Sequence, residues 1–396
     1  MHRLIDMPID LVKTIQYRTS IADFGMASSR VFGSSKAEMM LASNVQYALS
    51  MGHCGIRLPR HNSVYTGTGI SIRCLKRLLD KLESEDYIRN YVGGFLHEGD
   101  ERVDLSSCVL FTEAMKERFK PKAPELYKDV VHIRDRETKK RLANRGRSGI
   151  KAMSDVVVDL NRLMLSCSIT QDDQTIPIQQ FRRIFSGSLD SGGRFYSLDG
   201  GIQTMPSNER RQLLMSGSPV AELDYSCMHP SIIHELKNRE NDVEFIDPYD
   251  FSVSQIEFSC APKEVVRDYF KMALIIALNC KDFKSAEGAL RHKFESDSKF
   301  HVLGHHFASD VLKEAYSHNL HLREYFFCDM GLFLQNIDSQ IMSSLINMTN
   351  ANMMPVIPVH DSVIIQEHNV KEVSEMMIDA YTRILGGSKF CVIEQK

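Results

Sequence analysis

PVIPVHDSVIIQ, residues Pro355 to Gln366, is a pair of short apolar, β-type runs on either side of the polar trio His360-Asp361-Ser362. That pattern predicts a hairpin with a carboxylate at its tip. An aspartate and a histidine among strands that must be buried need a reason to be there, because an uncompensated charge in apolar surroundings costs several kcal/mol. A second carboxylate of this kind closes PVAELDY, Pro219 to Tyr225, a short apolar strand followed by SCMHPSIIHEL, which reads as a helix. Asp224 thus sits at a strand end. Taken singly, either aspartate reads equally as a turn or helix cap.

Taken as a pair they suggest a chemistry. Phosphoryl transfer to a 3′-hydroxyl uses two divalent cations about 3.5 to 4 Å apart, one activating the attacking oxygen and the other holding the triphosphate. Two aspartates on adjacent strands can bridge such ions, and Mg2+ (or Mn2+) needs few protein ligands because water and substrate phosphates complete its shell. Asp224 and Asp361 are therefore the expected metal ligands. Between them lies KEVVRDYFKMALIIALNC, Lys263 to Cys280, a helix by its periodicity, on which Arg267 and Lys271 stand four residues apart on one face. Such a pair can belong to a solvated surface. It can also grip a triphosphate, with Lys271 placed to protonate the departing pyrophosphate.

Farther out, the chain is 396 residues long and 43% hydrophobic, enough for two or three domains with a sizeable core. No apolar run reaches the roughly 18 residues of a membrane span, and Met1 to Lys13 has no signal-peptide core, which predicts a cytoplasmic, soluble protein without a membrane partner. The nine cysteines are scattered without a CxxC pair, which argues against disulfides and a structural zinc site. The net charge of -3 excludes a uniformly basic nucleic-acid binder. Locally the balance differs: Arg134, Arg136, Lys139, Lys140, Arg141, Arg145 and Arg147 face only Asp135 and Glu137 within one segment. That segment reads either as a solvated helix face or linker, or as a phosphate-backbone contact.

Lys36 to Ser50 predicts a helix, and Thr66 to Glu85 contains another, with Ile72, Leu75, Leu79 and Leu82 forming an apolar stripe. Tyr87 to Tyr91 and Arg102 to Phe111 read as the strands of a hairpin, divided by a turn-rich stretch with Gly93, Gly94 and Gly99. Helix, turn, helix and hairpin together resemble a winged helix, with Ser71, Arg73, Lys76 and Arg77 on the polar face of the recognition helix, where they would contact DNA. The same fold also binds proteins or merely supports a neighbour. Met115 to Asn161 reads as a largely helical, polar connector. The expected division is a winged-helix-like domain over 1–120, a basic helical connector or thumb-like region over 121–180, and the motif-bearing region over 181–396.

The motif-bearing region resembles the A-family DNA polymerases, the group of bacterial DNA polymerase I, and the related single-subunit phage RNA polymerases. The likeness starts in GGRFYSLDGGIQTMPSNERR, Gly192 to Arg211, where Arg194, Gln203 and Arg210 take the places of the family's Arg, Gln and Arg before motif A. Motif A is similar to Asp224-Tyr225-Ser226, motif B to Arg267 with Lys271, and motif C to His360-Asp361. Four weak motifs in the right order make a specific signal.

The resemblance implies an α+β chain with a right-hand polymerase fold: a palm holding Asp224 and Asp361, fingers around the Arg267 to Asn279 helix, and a partial thumb. It implies nucleotide contacts from Arg267, Lys271, Tyr225, His229 and Asn279, and nucleic-acid contacts from Arg194, Gln203, Arg210 and His360. Nothing in the chain resembles the family's proofreading exonuclease or flap nuclease. The small size suggests replication of a plasmid, phage or other mobile element, with DNA template and primer, nucleoside triphosphates and an accessory replication protein or helicase as partners.

The departures bear on the sugar. The family's glutamate five residues after the motif A aspartate is His229 here, and the aromatics four and eight residues beyond the motif B lysine are Ile275 and Asn279. Ribonucleotide use, as by a primase or RNA polymerase, is the alternative activity. An inactive winged-helix DNA-binding regulator is the alternative from another class. Ser362 stands where an acidic residue often follows the motif C aspartate. LQNIDSQIMSSLI predicts an amphipathic helix whose Gln335 and Asp338 are candidates for template or primer contact. His301, His305 and His306 could chelate a metal on a helix but lack an evident third ligand.

Overall fold

The computed structural model describes residues 2–3, 14–16, 32–50, 53–65, 68–98, 101–105, 107–119, 126–144, 147–171, 174–176, 179–198, 201–238, 247–249, 256, 261–303, 308–320 and 322–396. Helices and several sheets alternate along the chain, an α+β organisation. Two large hydrophobic clusters carry it. One gathers residues from Ala37 to Phe119, the other from Tyr127 to Leu385.

In the first cluster, helix Ile72–Ser84 presents Leu75, Leu78, Leu79 and Leu82 inward, against Met40, Leu41 and Val45 of helix Lys36–Ser50. The Ser71 hydroxyl caps its first turn by accepting the Cys74 N–H at 3.4 Å. Strand Gly55–Arg57 pairs antiparallel with Cys108–Phe111, which pairs antiparallel with Ile88–Val92. His2–Arg3 and Thr14–Gln16 add parallel partners at the two edges.

The expected hairpin is corrected in detail. Ile88–Val92 pairs with Cys108–Phe111 only, and a separate hairpin of Gly94–Glu98 with Glu101–Leu105 grows out between them. The glycine-rich stretch is thus partly strand. Cross-strand pairing from Gly94↔Leu105 to Glu98↔Glu101 fixes it despite the low strand preference of glycine.

The connector is corrected as well. Between Met115 and Asn161, strand Val131–Arg134 lies parallel to Phe181–Ser186 and antiparallel to Arg141–Leu142, and the helices among the described residues are Glu113–Arg118 and Ile150–Leu165. Val131, Ile133, Val157 and Leu160 belong to the same core as the motifs downstream. Within the basic segment, Asp135 to Thr138 form a turn in which Asp135 Oδ1 accepts the Thr138 N–H at 2.7 Å, and Arg145 lies outside the described residues. Two of its cations are engaged within the chain, Arg136 with Asp329 and Arg141 with Asp129.

The expected helix is Gly331–Ala351; it runs through the second core and is buried on most of its circumference, Asp338 included. Arg183, fully enclosed, ties the Phe181–Ser186 strand to it: Nε donates to Gly193 O at 2.8 Å and Nη2 to Ser339 Oγ at 3.1 Å, with the Phe185 and Phe195 rings on either side. Against this framework lies the sheet that holds the two motif aspartates. Its strand Ser218–Tyr225 pairs along one edge with Ser362–Gln366, and along the other with Leu214–Met215 and Ile393–Gln395. Among the described residues, no helix is long and apolar enough to cross a membrane.

Candidate active site

Asp224 reaches its position through the ladder. It stands opposite Ser362, and the next residue, Tyr225, donates its N–H to the Asp361 carbonyl at 3.2 Å. Asp361 is one of two turn residues between the paired Val359 and Ser362, preceded by His360 in the left-handed region at φ 58°. The two carboxylates therefore share one end of one strand pair. Burial first, and then the negative charge of Asp361, push the Asp224 carboxyl up to about 6, while Lys396 and Lys271 oppose the rise. The Lys396 ammonium lies 2.9 Å from Asp224 Oδ2.

Helix Lys263–Asn279 brings Arg267 and Lys271 to the same place. Its inner face, with Phe270, Ala273, Leu274, Ala277 and Leu278, is buried, and both cations lie on the exposed side. Tyr249 lies beneath them, buried, with its ring centre 5.6 Å from the Arg267 guanidinium carbon and 5.6 Å from Lys271 Nζ. Arg267 also donates to Tyr249 O at 3.1 Å and pairs with Asp247 at 2.9 Å. Burial, with Cys227 and Asp361 close by, raises the Tyr249 hydroxyl far above its ordinary range. Tyr249 thus belongs with the Arg267, Lys271 and Asp361 group, with no local sequence signal to mark it.

Several expected contacts are committed elsewhere and are corrected here. Tyr225 is buried on the face opposite Asp224, its hydroxyl donating to Met377 O at 2.7 Å, so it is a core residue. Asn279 donates back to Ile275 O at 2.6 Å at the end of its own helix and packs against Gly331. Arg194 is held by Asp338, Nε to Oδ2 at 3.0 Å, and His229 Nε2 lies 3.1 Å from that same oxygen. Asp338, 1% exposed, is accordingly an internal anchor for Arg194 and His229.

Gln203 spends its amide on the chain: Nε2 donates to Pro358 O at 2.7 Å and Phe195 O at 3.1 Å, and Oε1 accepts the Ser197 N–H. It fixes the motif hairpin from behind. Arg210 pairs through two nitrogens with buried Glu222, whose Oε1 also accepts the Ser362 hydroxyl at 2.8 Å. Burial works against ionising Glu222, and these two donors outweigh it and lower its pKa. Gln203 and Arg210 thus brace the carboxylate strands, while Arg194 is tied to helix Gly331–Ala351 through Asp338.

His360 reaches the surface beside Tyr196, with ring centres 6.5 Å apart. Partial desolvation and then the Arg194 charge lower its imidazole pKa. Gln335 is half buried in the first turns of helix Gly331–Ala351. Arg73, Lys76 and Arg77 are exposed on helix Ile72–Ser84, in the chain's first core unit. His301 lies in a 3-10 turn, Ser298–Leu303, and not on an α-helix; His305 and His306 lie outside the described residues. Among the described residues, no group of three or more His, Cys, Asp or Glu is gathered as a metal cage, so Asp224 and Asp361 stand as a pair.

No protein-family model matches the sequence, and no curated protein matches it. Among solved structures, the chain is similar to the POL domain of Pol1 from M. smegmatis in complex with DNA primer-template and dNTP, at 12% identity and a TM-score of 0.32 over 62% of this chain. The chain spans half the length of that structure, 50% of which is covered.

Proposed function

We propose that this chain is a template-directed nucleotidyltransferase that joins nucleoside monophosphates to a 3′-hydroxyl, a DNA polymerase in the replication of a mobile element. One observation carries the reading. Two carboxylates from distant parts of the sequence meet at a single strand end, with the Lys271 charge within range of Asp224. Carboxylates that are desolvated and mutually repelling are a suitable site for cations, and the ammonium already bound to Asp224 marks where positive charge is favoured.

Asp224 and Asp361 would hold two Mg2+ or Mn2+ ions. When bound, such ions acidify the attacking hydroxyl and neutralise the triphosphate. Arg267 and Lys271 would bind the triphosphate from the helix face, aligning its α-phosphorus with the 3′-oxygen. Lys271 would give a proton to the bridging oxygen as pyrophosphate leaves. The Glu222-Arg210 pair and Gln203 would keep the carboxylates in register through this exchange.

The test is incorporation of labelled nucleotides on primed and unprimed single-stranded templates with Mg2+ or Mn2+, offering four deoxyribonucleotides or four ribonucleotides. Incorporation is expected, and Asp224→Ala and Asp361→Ala should abolish it while the circular-dichroism spectrum is kept. Incorporation by either variant overturns the proposal.

Ribonucleotide use, and with it primer synthesis, is favoured by one feature. His229, five residues after Asp224, is engaged with Asp338 and places no carboxylate at that position. Duplex binding by the N-terminal unit is supported by exposed Arg73, Lys76 and Arg77 on one short helix. Binding of DNA without incorporation would favour the regulator alternative. An accessory replication protein and a cytoplasmic location complete the proposal.

A further inference from the structure

The backbone puts Lys396 beside the candidate site by a route that the motifs do not involve. Strand Ile393–Gln395 runs antiparallel to Leu223–Tyr225, with Leu223↔Gln395 and Asp224↔Glu394 as partners, and the Lys396 N–H donates to Glu222 O at 2.9 Å. Lys396 therefore lies across from Glu222, diagonal to Asp224. Diagonal neighbours on one sheet face are about 7–8 Å apart, a gap that a long side chain spans. The Lys396 ammonium closes it and meets Asp224 Oδ2 at 2.9 Å.

The two partners are unequally enclosed. The Lys396 side chain is 40% exposed and that of Asp224 only 14%. The cation therefore faces water on one side and can rotate away on its four methylenes while the backbone bond to Glu222 stays in place. A divalent ion held by Asp224 and Asp361 would need the same carboxylate lone pairs, for which a monovalent ammonium is the weaker competitor.

We propose that Lys396 is the resident counter-ion of the carboxylate pair, occupying the place of a divalent cation and yielding it when one binds. This rests on the metal role proposed for Asp224 and Asp361. Lys396 offsets part of the pair's negative charge in the resting protein, and metal loading would displace it toward solvent.

Mn2+ binding to the full chain, read from the free-ion paramagnetic resonance signal, tests this in the wild type, Lys396→Met, Lys396→Arg and Asp224→Asn. Removal of a half-exposed competing charge should tighten Mn2+ binding by about 2- to 5-fold in Lys396→Met. Lys396→Arg, which keeps a cation, should stay near the wild type. Equal or weaker binding by Lys396→Met overturns the proposal, as does unchanged Mn2+ affinity accompanied by lost incorporation, since Lys396 would then serve the reaction and not the resting state. Lys396→Gln replaces the methionine variant if that variant does not fold. Should Asp224→Asn bind Mn2+ as tightly as the wild type, the carboxylates are not a metal site and the proposed function falls too. If Asp224→Asn weakens binding while Lys396→Met leaves it unchanged, only the counter-ion is lost.

Discussion

Asp224 is paired with Ser362 across an antiparallel ladder, so the carboxylate that ends one strand lies next to the carboxylate that turns the hairpin. That adjacency makes stability depend on pH. The Asp224 carboxyl sits near 6 in the fold, against about 3.9 for an unperturbed aspartate. The folded state thus holds a proton that the unfolded chain releases, and the stability from this group is full below about pH 4 and lost as pH rises to 6. Because the group is partly solvated, the loss should be on the order of 1–2 kcal/mol, less than the bare shift implies. In metal-free buffer, Asp224→Asn should be more stable than the wild type at pH 7.5, with the difference closing toward pH 4. Urea unfolding at both pH values measures it. An equal difference at both would mean that the charge of Asp224 is not the cause.

On the proposed function, Lys271 would bear on catalysis and little on folding. Its side chain is on the exposed face of its helix, over the Tyr249 ring. Lys271→Ala should keep the wild-type melting temperature and lose about 10²- to 10³-fold in the rate of single-nucleotide incorporation, the usual cost of removing one preorganised charge. Rapid-quench kinetics at saturating nucleotide would show the loss in rate rather than in apparent affinity.

Asp338 has the opposite profile. It is almost wholly buried and holds Arg194 and His229 together. Asp338→Ala would leave the Arg194 guanidinium without its carboxylate, so we expect a loss of about 3–5 kcal/mol in chemical unfolding. Asp338→Leu with Arg194→Met, which removes both charges, should recover much of it. A double variant no more stable than Asp338→Ala would show that the pair's charge is not what matters.

These cases separate what the sequence discloses from what it hides. Asp224 and Asp361 are legible because apolar runs on both sides force their strands into a core, and a polar residue at such an end is conspicuous. Tyr225, expected at the nucleotide, lies in the core instead, because side chains alternate across a strand and the neighbour of Asp224 points to the opposite face. Strand Val131–Arg134 was hidden by the charges that follow it, which mask the inward pair Val131 and Ile133. Asp338 was misread because a helix buried on most sides has no polar face to mark a solvent-facing aspartate. Lys396 and Tyr249 carry no local signal at all. Each joins the cleft through contacts with parts of the chain far away in sequence, a β-ladder for Lys396 and the Arg267-Lys271 helix face for Tyr249.

The N-terminal unit offers a test independent of the carboxylates. Arg73, Lys76 and Arg77 lie on the outer face of helix Ile72–Ser84, while Leu75, Leu78, Leu79 and Leu82 hold its inner face. Replacing the three cations with alanine removes no buried contact, so thermal stability should stay within about 0.5 kcal/mol of the wild type. If the helix lies against duplex phosphates, each lost contact reduces the slope of log affinity against log salt by about 0.9, roughly 2.7 for all three. Fluorescence anisotropy with a short duplex from low to moderate salt measures that slope. A triple variant with lower affinity but an unchanged slope would mean that these residues do not neutralise phosphates, and an unchanged affinity would assign the helix to supporting its neighbours.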